Sequence, residues 1–91
     1  MPKLDLTREA LDFLDSLPAR QYKQVVATLF SLLKNPMPQD AKKLVGYPYH
    51  RVDAGEYRII YDTMEDTVRI FLIGKRNDDA VYKQLILRTE S

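Results

Sequence analysis

The 91-residue chain contains no cysteine and a single histidine, His50. Without cysteine there can be no disulfide framework, no thiolate nucleophile and no cysteine-ligated zinc. One histidine makes a protein-only histidine metal centre a poor expectation, so neither metal nor cofactor is expected. Nowhere do eighteen uncharged apolar residues follow one another, and the opening Met1-Pro2-Lys3-Leu4-Asp5 lacks the apolar run of a secretory leader. A cytoplasmic protein without membrane contact is the expectation. Excess charge is lacking too: the formal net charge is +1. Affinity for a phosphate backbone therefore has to come from how Lys and Arg are distributed. Catalysis, if there is any, falls to Lys, Arg, Tyr, Asp and Glu.

What is present is an ordinary globular composition, 45% hydrophobic and 30% charged, in a chain long enough for one domain spanning 1–91 and one modest core. The spacing of Ala10, Leu11, Leu14 and Leu17 predicts a first helix over Thr7 to Leu17, with Thr7 as N-cap and Glu9 favourably placed in the first turn. Pro18 suits the first turn of a second helix, whose apolar stripe is Tyr22, Val25, Val26, Leu29, Leu32 and Leu33. So short a connection predicts an antiparallel helix pair. Asn35-Pro36-Met37-Pro38 ends it, because neither proline has an amide to donate.

After a loop to about Gly46 the period changes to two. Tyr49 to Asp53 and Tyr57 to Asp62 read as a hairpin around Ala54-Gly55-Glu56, and Thr67 to Ile73 as a further, central strand after the turn Met64-Glu65-Asp66. Leu4 and Leu6 suggest a short edge strand, and Asp79 to Arg88 a terminal helix. The expected fold class is α+β: two N-terminal antiparallel helices packed on a mostly antiparallel four-stranded sheet, with a short C-terminal helix.

The strands and the segment after them are rich in cations and tyrosine: Arg51, Tyr57, Arg58, Tyr61, Arg69, then Gly74-Lys75-Arg76, Tyr82 and Lys83. If Val52 and Ile59 face the helices, Arg51, Asp53 and Arg58 face away from them, with Ile60 falling on the charged face and Tyr57 and Tyr61 on the core face. Such a charged face is either a phosphate-binding surface or an ordinary solvated one. The alternation alone does not choose.

The run from Lys43-Leu44-Val45-Gly46 through Gly55-Glu56-Tyr57-Arg58-Ile59-Ile60-Tyr61, followed by Gly74-Lys75-Arg76 and Val81-Tyr82, resembles the RelE/ParE superfamily over nearly the whole chain. The combination is fairly specific, although each piece alone is weak. The resemblance implies a toxin of a bacterial type II toxin–antitoxin pair with an antitoxin protein as partner. In the RelE-like branch, which the site residues favour, it also implies the ribosome and mRNA, the mRNA being cleaved by attack of a ribose 2′-hydroxyl on the adjacent phosphate. By the same resemblance Arg58 contacts the scissile phosphate, Arg76 stabilises the transition state or donates a proton, and Tyr82 orients or deprotonates the 2′-hydroxyl or stacks on a base. Arg51 is a further catalytic candidate, and Lys75, Asp53 and Lys83 are RNA-binding candidates. The best-known RelE toxins carry two lysines along the hairpin strand; this sequence has Arg51 and Asp53 instead, and a shift of one residue would bring in His50. An arginine holds a phosphate well but is a very poor base. Two alternatives stay open: a ParE-like poison of DNA gyrase, and a catalytically weak member that only binds antitoxin.

Overall fold

The computed structural model describes residues 2–76. In chain order they form β1 (Lys3–Leu6), α1 (Arg8–Asp15), α2 (Ala19–Lys34), β2 (Lys42–Lys43), β3 (His50–Ala54), β4 (Tyr57–Met64) and β5 (Thr67–Lys75). The expected terminal helix, with Tyr82 and Lys83, lies outside the described residues.

Both helices start where the local chemistry directs. Thr7 sits in extended backbone and its hydroxyl accepts the Ala10 amide at 3.2 Å, satisfying one of the orphan donors of the first turn. The same hydroxyl donates to the Phe71 carbonyl at 2.6 Å, which ties the start of α1 to β5. Pro18 proves to be the residue flanking α2, in non-helical backbone, and the helix proper begins at Ala19. At the other end Asn35 leaves helical backbone immediately before Pro36.

The sheet runs β1-β5-β4-β3-β2. All neighbours are antiparallel except β1, which pairs parallel to β5 with Asp5 opposite Arg69. It therefore has five strands where four were expected. The additional one is the two-residue β2, whose Lys42 and Lys43 pair with Arg51 and His50. A two-residue edge pairing made by exposed lysines leaves no period-two apolar pattern, and short, lysine-bearing edge strands are a common protection against edge-to-edge association.

The hairpin turn is tighter than expected. Ala54 pairs with Tyr57, so only Gly55 and Glu56 connect β3 to β4. Gly55 has φ +61°, a backbone conformation that costs glycine little and that a two-residue hairpin loop needs at its first central position.

The principal core lies between the helices and one sheet face. Ala10, Leu14, Val25, Leu29 and Leu32 from the helices meet Val52, Ala54, Tyr57, Ile59, Tyr61, Val68, Ile70 and Ile73. Val52 and Ile59 do face the helices, together with Tyr57 and Tyr61 as the alternation required. Tyr61 is fully buried, and its hydroxyl donates to the Pro36 carbonyl at 2.7 Å, which anchors the chain just after α2.

Ile60, on the other face, is not left in water. It is fully buried in a second cluster with Leu44 and Leu72, flanked by Tyr47, Tyr49 and Phe71. A β-bulge borders this cluster: Ile60 lies opposite Leu72 but Tyr61 lies opposite Ile70, so Phe71 is an extra residue in β5 and packs beside them. Tyr49 then stacks on Phe71 with ring centroids 4.7 Å apart, folding the segment between β2 and β3 over part of the open face.

Candidate functional site: an arginine cluster on the open sheet face

The face of the sheet turned away from the helices carries the candidate chemistry. In a strand alternate residues share a face, and residues directly opposite each other on neighbouring strands share it too. Arg51 and Asp53 of β3 are therefore on the open face, as is Arg58 of β4. The register adds a residue that the sequence reading assigned to a loop: Lys42 lies directly opposite Arg51. In the next row Asp53 lies opposite Arg58, and Arg58 opposite Gly74. Gly74 contributes no side chain to that row. Just beyond it the chain turns, and the Arg76 amide donates to the Glu56 carbonyl at 3.0 Å, fixing Arg76 beside the β3–β4 turn.

Two of these cations converge on one carboxylate. The Arg58 Nε–H donates to Asp53 Oδ1 at 2.8 Å, and its terminal NH2 group reaches Asp53 Oδ2 at 3.4 Å. The Arg76 guanidinium lies 3.5 Å from Asp53 Oδ2. The Arg58 side chain is largely buried, at 16% exposed, whereas that of Arg76 is 51% exposed. The hydrogen bond from Arg58 holds the Asp53 carboxyl below its ordinary value of 3.8; partial desolvation opposes this, and the charges of Arg58, Arg76 and Arg51 add to it. Asp53 is thus a firmly ionised partner of the arginines, and a weak base.

The remaining candidates separate from this cluster. Lys75 lies opposite Tyr57 and shares the parity of Ile73, which puts it on the helix side of the sheet. His50 shares the parity of Val52, and its ring lies 5.9 Å from that of Tyr61. Its Nδ1 is buried without a hydrogen-bond partner among the described residues. The structure therefore does not bring His50 to the arginines. Arg69, at the far end of the open face, is held by Asp62 through two hydrogen bonds of 2.9 and 2.8 Å. Among the described residues no group of three acidic or histidine side chains could hold a metal ion. Nor is any helix among them long and apolar enough to cross a membrane.

Among the described residues, four cations against one carboxylate, on the sheet face opposite α1 and α2, are an arrangement able to hold a polyanion. Residues 4–80 match the family profile described as ParE toxin of type II toxin–antitoxin system, parDE. The chain belongs to this toxin family. Solved structures agree on the fold. The chain matches the isolated Escherichia coli RelE toxin with a TM-score of 0.73 and 23% identity, covering 98% of this chain and 99% of that one. It matches the archaeal RelE–RelB complex from Pyrococcus horikoshii with a TM-score of 0.74 and 24% identity, over 85% and 97% of the two chains. The toxin–antitoxin complex RelBE2 from Mycobacterium tuberculosis is matched with a TM-score of 0.73 and 27% identity, over 84% of this chain and 100% of that one. No curated protein matches the sequence. The protein is a type II toxin of the RelE/ParE superfamily with a RelE-like fold.

Proposed function

We propose that this toxin is a ribosome-dependent mRNA endonuclease and that the open sheet face is its RNA-cleaving surface. The observation that carries the proposal is the convergence of Arg58 and Arg76 on a single pair of carboxylate oxygens, with Arg51 and Lys42 in the adjoining row. Two guanidinium groups aimed at two oxygens are also the arrangement that clamps a phosphodiester.

In the reaction the 2′-oxygen of one ribose bonds to the adjacent phosphorus while the bond from phosphorus to the 5′-oxygen of the next nucleotide breaks. The products are a 2′,3′-cyclic phosphate and a free 5′-hydroxyl, the leaving 5′-oxygen taking its proton from Arg76, to which the family resemblance assigns proton donation, or from water. Negative charge builds on the non-bridging phosphate oxygens, where Arg58 and Arg76 stabilise it. A donor so placed supplies about 2.7–4 kcal/mol when it acts as an oxyanion-hole group does. Arg51 and Lys42 hold the flanking phosphates. Neither arginine is suited to remove the 2′-proton, and Asp53 is held as a weak base by its partners. That leaves Tyr82, which the family resemblance assigns to the 2′-hydroxyl, and the ribosome, which presents the message in the required conformation. An antitoxin neutralises the toxin by covering it.

The test is purified toxin added to ribosomes programmed with a defined message. Cleavage is expected with the ribosome present, ending in a cyclic phosphate, and a single 2′-deoxy substitution at the cut position should abolish it. Cleavage that survives the 2′-deoxy substitution would rule out this mechanism.

A second reading, a poison of DNA gyrase, is favoured by one observation: Asp53 already occupies the fork of Arg58, and a gyrase-directed toxin needs no free phosphate clamp. Gyrase-dependent DNA cleavage by the purified toxin, with messages left intact, would establish it in place of the first.

A further inference from the structure

The Asp53 carboxylate lies between the two guanidinium groups that the proposed function assigns to a substrate phosphate. Its two oxygens are met by the Arg58 Nε at 2.8 Å and terminal nitrogen at 3.4 Å, and by the Arg76 guanidinium at 3.5 Å. A phosphodiester also presents two charged oxygens, and it is read by the same forked donors. Asp53 reaches this place because the two-residue turn at Gly55 and Glu56 sets it directly across from Arg58, and because Gly74 leaves the third position of that row without a side chain.

We infer that Asp53 is a built-in anion that occupies the arginine clamp of this toxin, ordering Arg58 and Arg76 in the absence of RNA and competing with the RNA phosphate for them. The inference rests on the reading of the open face as an RNA-binding surface, and it adds a residue that attenuates that surface. When a phosphate enters, the carboxylate gives up at least the Arg76 contact, which is the longer and more exposed of the two. Asp53 is a positioning residue: it acts on the substrate through the two arginines and supplies no proton.

The consequence runs against ordinary expectation for a substitution in a site. Removing the charge from Asp53 while keeping its shape should tighten the grip on RNA. The experiment is fluorescence anisotropy of a 10-nucleotide 2′-O-methyl RNA, which binds without being cut, with the purified toxin and its Asp53→Asn variant over a range of salt concentrations. The expected result is about tenfold tighter binding by the variant, the factor for one unit charge a few ångströms from a phosphate at an effective dielectric between protein surface and water. The salt dependence should steepen by about 0.7 in the logarithmic slope, as for one more phosphate neutralised on a single strand. Binding that is unchanged or weaker would overturn the inference and leave Asp53 as a brace only. Asp53→Ala serves as the second variant should the Asp53→Asn protein misfold, and a thermal melt of each identifies the folded one. The outcome is separable from that of the proposed function. Tighter binding by a toxin that cuts no message would sustain the inference and refute the nuclease, whereas efficient cutting with no gain in binding would do the reverse.

Discussion

Truncation of Arg58 and Asp53 to alanine, singly and together, measures how strongly the centre of the arginine cluster is bound. Their side chains are 16% and 31% exposed and share a hydrogen bond of 2.8 Å. Fully exposed ion pairs contribute about 0.2–1 kcal/mol, and breaking a buried pair costs about 3–5 kcal/mol. A half-buried pair with one short and one long contact falls between, so a coupling of about 1–2 kcal/mol is expected. The double cycle is required because Arg58 has further interactions, which the single substitution also removes. Urea unfolding of the four proteins at neutral pH gives the coupling, and repeating it at falling pH tests its origin. The Asp53 carboxyl is held below its ordinary value. Its contribution is therefore fully present above about pH 4, the unfolded value, and is lost as pH falls through the lower folded value. A coupling under about 0.3 kcal/mol, in the range of fully exposed pairs, would refute the argument that Asp53 organises the cluster. A coupling that survives acidification below the folded value would refute its electrostatic origin.

Tyr61→Phe removes the hydrogen bond to the Pro36 carbonyl and should destabilise the protein by about 1–2 kcal/mol in a denaturant titration. Burial pushes the Tyr61 hydroxyl up to about 12, with the charge of Asp40 adding to it. The linked stability is complete below about pH 10 and lost as pH rises through 12, and the Phe variant should lack that part of the alkaline loss. Thr7→Ala removes both the cap on Ala10 and the bond to the Phe71 carbonyl, for about 1–2 kcal/mol, and should lower amide-exchange protection in α1 before other elements. Ile60→Ala should cost about 2–5 kcal/mol by calorimetry, since the residue is fully buried in the second cluster and not on a solvated face.

The fold was legible wherever one residue type decides local structure. Thr7 as a cap, the proline-bounded end of α2, and Tyr57 and Tyr61 on the core side of the sheet followed from capping, ring geometry and the period of two. The sequence did not show the two-residue β2, because a pairing made by Lys42 and Lys43 has no apolar signature. Alternation gave the face of Ile60 but not its burial, since the cluster that covers it draws on Leu44, Tyr47 and Tyr49 from the segment leading into β3. The site was half legible. Arg51, Asp53 and Arg58 share a face by alternation alone, but the contact between Asp53 and Arg58 depends on the length of the turn. Counting outward from a two-residue turn sets Ala54 against Tyr57 and Asp53 against Arg58, whereas a three-residue turn hides the pairing. Lys75 shows the reverse: adjacent to Arg76 in sequence, it is carried by the strand parity to the opposite side of the sheet.

Arg76 and its neighbours are proposed to form an RNA-cleaving surface that works on translated messages. The most direct measurement is primer extension on a reporter mRNA after brief induction of the toxin, comparing the native chain with Arg76→Ala and a translatable reporter with one lacking its start codon. Cuts are expected on the translated reporter alone, and none with the variant. Intact messages in cells whose growth the native chain arrests would contradict the proposal.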